Sequence, residues 1–141
     1  MVRYYLEDIE YKYTGRRLNN AWLRRVAQQE QCRLGEVNII FCSDTYLLDI
    51  NLQFLGHDYY TDIITFDYSE KPVVSGDLFI SLDSVRENAA FYGASFDEEL
   101  HRVIVHGLLH LIGYDDHTEE DQKQMRAKEN ECLELRRSMM V

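Results

Sequence analysis

The most apolar helical pattern in the sequence lies between residues 96 and 112, where apolar side chains recur on nearly every side of a helix. A helix of this kind belongs in the centre of a domain rather than on its surface. Ser95 and Glu98 match the Ser-x-x-Glu capping box that begins helices, and Gly113 is a residue type that commonly ends them. We therefore predict a central buried helix between Ser95 and Gly113.

Shorter patterns predict the other elements. Apolar runs predict strands over residues 2–13, 36–42, 63–68 and 76–82, and helical spacing predicts helices over 19–31, 46–54 and 83–92 and from Thr118 onwards. Asn19 or Asn20 is the expected N-cap of the first helix. Strands come early, with helices between and after them, which is typical of an α+β fold. The prediction is a small mixed β-sheet packed by about five helices.

The length of the chain and the composition of its segments limit the class of protein to which it can belong. A chain of 141 residues without a visible linker or repeat is expected to form one domain, residues 1–141. No run of about 18 apolar residues is present, and the first residues lack the apolar segment of a secretion signal. These features predict a cytoplasmic protein with no membrane partner. Three widely spaced cysteines (Cys32, Cys42 and Cys132) predict reduced thiols rather than disulfides.

The charge is distributed unevenly along the chain. The formal net charge is −10, but residues 1–35 carry +3 and the remainder carries −13. An acidic body repels nucleic acid at long range, so any contact with RNA would need a local basic patch. The candidates for such a patch are Arg16, Arg17, Arg24 and Arg25, with Arg33 further along the chain. The alternative is that these arginines form a solvated helix face.

His106 and His110 stand four residues apart on the predicted central helix, so their imidazoles lie on one face, one turn apart. A turn at Gly113 would bring Asp116 or His117 back towards the same point. Three protein ligands with an open fourth position is the arrangement of catalytic zinc. The alternative is a pair of core histidines, but two neutral imidazoles in an apolar helix both need partners, which favours a metal.

The spacing limits the chemistry without selecting one metal. Zinc peptidases carry a glutamate directly after the first histidine as general base, and this chain has Gly107 there. Peptidase chemistry of that type is therefore not expected. Zn²⁺ is the expected ion, and Ni²⁺, Co²⁺ and Fe²⁺ remain alternatives because two imidazoles and an oxygen suit them nearly as well.

Three segments of the sequence resemble the signature of the YbeY family. Residues 106–117 (HGLLHLIGYDDH) are similar to the family motif H-G-x-x-H-L-x-G-Y-D-H. Residues 50–66 resemble the segment L-N-x-x-Y-R-x-K-D-x-P-T-D-V-L-S-F, and residues 76–81 resemble G-D-I-x-I. The order and spacing agree over about residues 35–135. The chain is thereby identified as a member of this family of bacterial endoribonucleases and ribosomal RNA maturation factors.

The resemblance implies a single α+β domain in which three residues hold one zinc ion. It implies a single-strand-specific endoribonuclease that acts in ribosome quality control and in the maturation of ribosomal RNA, notably at the 3′ end of the small-subunit RNA. Zinc would polarise the phosphoryl oxygen or lower the pKa of a bound water. The implied partners are ribosomal RNA and the small ribosomal subunit, with an assembly GTPase and ribosomal proteins.

The sequence departs from the family motif at the third metal ligand. The third family histidine would fall at position 116, where this chain has an aspartate. We expect Asp116 to be the third ligand, because zinc accepts a carboxylate oxygen and the spacing after Gly113 is kept. The alternative is His117, which offers the better ligand type if the turn absorbs one residue.

The second departure is Leu55, which replaces the arginine that would clamp a scissile phosphate. His57 is the nearest substitute and joins His106 and His110 as a candidate catalytic residue, although it is cationic only part of the time near neutral pH. Two other functions stay open for this reason. One is a non-catalytic ribosome-assembly factor with a structural metal, and the other is a metal hydrolase of another substrate, such as a peptide or small ester.

Overall fold

A computed structural model describes residues 1–140, and the last residue of the predicted domain, Val141, lies outside them. In chain order the elements are β1 (Val2–Glu7), α1 (Arg16–Gln29), β2 (Arg33–Cys42), α2 (Asp44–Ile50), a π-helical turn (Asn51–Leu55), β3 (Ile63–Asp67), β4 (Val73–Ser81), α3 (Leu82–Tyr92), α4 (Phe96–Ile112) and α5 (Glu119–Met139).

The four strands form one mixed sheet in the order β1-β2-β4-β3. β1 and β4 lie parallel to β2, and β3 runs antiparallel to β4. The parallel pairs need crossover connections, which α1 and the α2 region supply, whereas the antiparallel pair is joined directly through residues 68–72. A small mixed sheet with five α-helices confirms the predicted α+β fold.

The predicted central helix is confirmed as α4, since eleven of its seventeen residues are buried. The Ser95 hydroxyl accepts a hydrogen bond from the Glu98 backbone N–H at 3.0 Å and begins the helix. The Glu98 side chain pairs with Arg137 of α5 at 3.0 Å instead of returning to the cap. α4 packs on β3 and β4 with α1, α3 and α5 around it, and a smaller apolar cluster lies under α2 on the other face of the sheet.

The predicted N-cap of the first helix is wrong. α1 begins at Arg16, after Gly15 in a left-handed conformation (φ 88°). Asn19 lies inside the helix and is fully buried, and its side-chain amide donates to the hydroxyl of Tyr4 in β1 at 2.8 Å. The asparagine therefore serves a contact between α1 and the sheet, which its preference for helix caps could not reveal.

Two further elements differ from their predicted patterns. The first strand ends at Glu7 because Asp8 adopts a positive φ of 55°, which interrupts an extended chain. The predicted helix over residues 46–54 divides into α2 and the π-helical turn, which Gly56 ends at φ 68°.

Among residues 1–140, no helix combines the length and apolarity needed to cross a bilayer.

The cysteines are free thiols, as predicted. Cys42 and Cys132 are buried and Cys32 is half-buried. Burial raises the pKa of the Cys42 thiol to about 12 and that of Cys132 to about 11, so both remain protonated and unreactive near neutral pH.

Candidate metal centre

The last two turns of α4 carry both histidines of the motif. The His106 and His110 rings lie 4.6 Å apart between centroids and nearly perpendicular to each other. Their side chains are 22% and 26% exposed, on a helix that is otherwise mostly buried. The two imidazoles therefore open onto a cavity rather than packing into the core.

The turn after α4 returns a carboxylate to the histidines. Gly113 adopts φ 129°, a conformation that strains any residue with a Cβ. The backbone N–H groups of Gly113 and Tyr114 both donate to the Leu109 carbonyl and close the helix. The Tyr114 hydroxyl donates at 2.6 Å to Glu30, the residue that follows α1, and holds the turn against the domain. Asp116 follows this anchored turn and lies beside the helix face that carries the histidines.

Three side-chain atoms meet at this point. The Nε2 atoms of His106 and His110 are 3.0 Å apart, and Oδ2 of Asp116 lies 3.4 Å from each. Two neutral ring nitrogens repel each other at this distance unless one carries the proton between them. A cation between the three atoms would give each lone pair a partner. These residues form a group whose ligand atoms could hold a metal ion.

The second ring nitrogen of His106 bonds a buried carboxylate. Nδ1 lies 2.7 Å from Oε2 of Glu129 in α5, and Oε1 of Glu129 accepts from Arg102 at 3.1 Å. Burial lowers the pKa of His106, but the hydrogen bond and charge of Glu129, with the charges of Asp116 and Asp62, outweigh it and raise that pKa above its usual value.

The group lies in a cavity of about 440 Å³ between α4, β3 and the segment that follows the π-helical turn. Leu55, His57 and Tyr59 line one wall, and Asp62 lines the side nearest β3. Burial raises the pKa of the Asp62 carboxyl. A second cavity of about 280 Å³ shares Asp62, His106 and Asp116 with the first, so the candidate centre borders two cavities.

The structure brings four of the nine predicted site residues together at one cavity, namely His57, His106, His110 and Asp116. His57 lines the cavity, where its ring stacks on Tyr59 at 5.0 Å between centroids. Leu55 is 46% exposed in the same wall. His117 is not brought into the group: its side chain is 81% exposed, and its nearest acid is Asp115 at 3.8 Å. The choice of Asp116 over His117 as third ligand stays a prediction, which this geometry favours.

The four candidate RNA-binding arginines all lie exposed on α1. Arg16 and Arg17 occupy its first turn, and Arg24 and Arg25 come two turns later. The Arg16 guanidinium stacks over the ring of Tyr4 at 5.4 Å from its centroid. The cavity is lined by other elements, so these arginines would contact RNA outside it.

Sequence reasoning missed Glu129, Asp62 and Tyr59. A signal was present for Glu129, because it falls on the apolar stripe of α5 between Met125 and Cys132, and a charged residue at a buried position needs a partner. Asp62 and Tyr59 lie in an irregular segment without periodicity, so no pattern indicated that they line the cavity with the histidines.

Fold and site together define a class: a small α+β protein in which a helix and its following turn hold two histidines and a carboxylate at the floor of a cavity. The comparisons with known proteins place the chain within this class. The family model described as Endoribonuclease YbeY matches residues 4–136. The chain therefore belongs to the YbeY endoribonuclease family, which confirms the resemblance seen in the sequence.

Similar proteins of known sequence and structure agree with this assignment. Proteins named Endoribonuclease YbeY from Cytophaga hutchinsonii and Bacteroides thetaiotaomicron are 50% and 48% identical to the chain. Each alignment covers 96% of this chain, with 96% and 98% of the respective relative. A solution structure of a Thermotoga maritima protein superposes with a TM-score of 0.68 at 31% identity, covering 95% of this chain and 87% of the other.

Proposed function

We propose that this chain is a metal-dependent endoribonuclease that cleaves single-stranded RNA during the maturation of ribosomal RNA. The observation that carries the proposal is the convergence of His106, His110 and Asp116 in an open cavity. The family assignment supports it, since relatives about 50% identical over almost the whole chain are named endoribonucleases.

The residues present fit a zinc ion, which His106, His110 and Asp116 would hold. Two imidazole nitrogens and one carboxylate oxygen are the ligand types of a catalytic zinc site with an open position. When bound, zinc would supply Lewis-acid polarisation of a phosphoryl oxygen and would lower the pKa of water. Ni²⁺, Co²⁺ and Fe²⁺ accept the same donors and are the ions against which zinc needs testing.

The walls of the cavity supply contacts for the substrate. His57 is the cavity residue placed to bind a phosphate where the family's arginine is replaced by Leu55. Its stacking on Tyr59 holds the imidazole at the wall, and protonation of His57 would strengthen its hold on an anion. Outside the cavity, Arg16, Arg17, Arg24 and Arg25 would bind the RNA backbone through its phosphates.

The proposed substrate, partners and location rest on the sequence segments that the chain shares with the family. We propose the 3′ region of small-subunit ribosomal RNA as substrate, with the small subunit, its proteins and an assembly GTPase as partners, in the cytoplasm. A single-stranded substrate also suits the cavity, because about 440 Å³ admits one unpaired nucleotide rather than a duplex.

The test uses protein purified free of contaminating ribonuclease and compares wild type with His110→Ala. Each is stripped with a chelator, reloaded with zinc, and incubated with a ribosomal RNA fragment as a single strand and as a duplex. We expect the zinc-loaded wild type to cut the single strand, with little cleavage by the chelated protein or by His110→Ala. Cleavage that persists in the His110→Ala variant would reject the proposal.

A second function is favoured by Leu55 and the acidic body: a ribosome-assembly factor whose metal is structural. On that reading the wild type binds RNA without cutting it, and chelation lowers its melting temperature. The same samples distinguish the two functions, because the zinc-loaded wild type would then bind the single strand and leave it uncut.

A further inference from the structure

Glu129 is a buried acid outside the candidate metal ligands. It lies on α5, far along the chain from the histidine motif, and its side chain is only 6% exposed. An ionised carboxylate is costly to bury unless its oxygens are paired. Both oxygens of Glu129 are paired, one with His106 at 2.7 Å and the other with Arg102 at 3.1 Å.

The geometry of α4 explains how one carboxylate reaches both partners. Arg102, His106 and His110 follow one another at intervals of four residues, so they form one row along the helix. Glu129 enters this row from α5 and lies between Arg102 and His106. The guanidinium donates a charge-assisted hydrogen bond to one oxygen of the carboxylate, and the other oxygen faces the imidazole.

This contact determines which nitrogen of His106 carries the proton. An ionised carboxylate only accepts hydrogen bonds, so Nδ1 must be the protonated nitrogen. In a neutral imidazole the other nitrogen, Nε2, then has a free lone pair. Nε2 is the atom that faces His110 at 3.0 Å and Asp116 at 3.4 Å. The lone pair therefore points into the candidate metal group.

We propose that Glu129, supported by Arg102, is a positioning residue that fixes the Nδ1–H tautomer and ring orientation of His106 for metal binding. The inference rests on the metal site of the proposed function, and it makes α5 part of that site. A hydrogen-bonded carboxylate behind a metal-binding histidine also raises the basicity of the ligating nitrogen.

The first test measures zinc affinity by competition with a chromophoric chelator, in the absence of RNA. Glu129→Gln keeps the shape of the side chain but removes its charge, and we expect it to weaken zinc binding by about 10- to 100-fold. The matched control is Glu131→Gln on the same helix, where the side chain is 69% exposed. The control should bind zinc as the wild type does.

Loss of the carboxylate leaves Arg102 without its buried partner, which could itself disturb folding. The double variant Arg102→Met/Glu129→Gln removes both charges, and its fold is checked by circular dichroism and thermal melting. We expect the folded double variant to show the same loss of zinc affinity as the single variant. Zinc binding within about twofold of wild type in both folded variants would overturn the proposal.

The second test reads the tautomer directly. In metal-free protein with ¹⁵N-labelled histidine, two-bond proton–nitrogen spectra at a pH where His106 is neutral should show a protonated Nδ1. Glu129→Leu should shift His106 towards a mixture of tautomers, whereas Glu131→Gln should not. An Nε2–H tautomer in the wild type would contradict the inference. This measurement needs neither metal nor RNA, so it can fail or succeed independently of the endoribonuclease proposal.

Discussion

At the scale of single residues, the structure separates the two candidates for the third metal ligand, Asp116 and His117. Asp116 lies 3.4 Å from both imidazoles, whereas His117 points into solvent. We predict that Asp116→Ala weakens zinc binding by more than about tenfold, since the loss of a ligand should cost at least as much as the loss of a partner behind one. His117→Ala should leave the affinity unchanged in the same competition assay. The reverse order of effects would identify His117 as the ligand.

Leu55 poses a question about substrate binding rather than metal binding. It lines the cavity where a guanidinium could face a phosphate. We predict that Leu55→Arg lowers the KM for single-stranded RNA by about 3- to 10-fold. The effect should be smaller than a charge-assisted hydrogen bond can give, because solvent screens a charge at this exposed position. Leu52→Arg is the control: Leu52 is equally exposed at 46% but lies outside this cavity. Equal effects of both variants would mean that only the added charge matters.

His101 illustrates a buried histidine with a structural role. Its Nε2 lies 2.8 Å from the Tyr13 hydroxyl and 3.2 Å from Arg136, and its Nδ1 donates to the Asp97 carbonyl. Burial lowers the pKa of His101, and the Arg136 charge lowers it further, while the contacts with Asp97 oppose this.

A folded-state pKa below the ordinary value of about 6.5 means that the unfolded chain binds the proton more readily. This contribution to stability is therefore complete above about pH 6.5 and is lost as the pH falls. We predict that the free energy of unfolding, measured with urea at pH 7.5 and pH 5, falls more in wild type than in His101→Gln. His117→Gln, at an exposed position, should follow the wild type. An equal fall in wild type and His101→Gln would contradict the prediction.

At the scale of elements, the packing of α4 on the sheet explains why position 107 is a glycine. A Cβ there would lie 2.8 Å from Cδ1 of Ile63 and 2.9 Å from Cδ2 of Leu78. A glutamate, as in zinc peptidases, would have to displace the side-chain ends of Ile63 on β3 and Leu78 on β4. The close contact between helix and sheet therefore disfavours a larger residue at position 107, a reason that the sequence alone did not show.

Gly107→Ala tests this contact. Overpacking costs about 1–3 kcal/mol, and the better helix propensity of alanine returns about 1 kcal/mol, so we predict a net destabilisation of up to about 2 kcal/mol. Ile63→Val removes the Cδ1 atom nearest the new methyl group. The free energies of unfolding in urea of wild type, both single variants and the double variant form a double-mutant cycle. We expect the double variant to be more stable than the sum of the single effects predicts, by at least about 0.5 kcal/mol. Additive effects would show that Ile63 is not the obstacle.

The elements differ in how far the sequence could predict them. α4 and its ends were predictable, because Ser95, Gly113 and the apolar positions act through local rules. The start of α1 was not, because Asn19 is buried against Tyr4, and that contact joins segments whose pairing no local pattern reveals. For the same reason the histidines could be predicted from their spacing, but the approach of Glu129 from α5 could not.

At the scale of the whole molecule, the charge distribution sets how RNA could approach. The net charge of −10 opposes a polyanion, and the candidate metal group adds a carboxylate to the cavity. α1 carries four exposed arginines and no acidic residue. RNA would therefore make its first contacts on α1, while the cavity would bind only the strand segment at the cleavage point.

The salt dependence of RNA binding tests whether α1, outside the cavity, is the surface that first contacts RNA. Each phosphate contact to a single strand contributes about 0.7 to the slope of log affinity against log salt concentration. We predict that Arg24→Glu/Arg25→Glu weakens binding and reduces the magnitude of that slope by about 1.4, measured by fluorescence anisotropy with a single-stranded ribosomal RNA fragment. Arg86→Glu/Lys123→Glu makes the same change in net charge on α3 and α5, and should weaken binding less while keeping the slope. If both double variants lower the slope equally, RNA responds to the total charge of the molecule and α1 is not its binding surface.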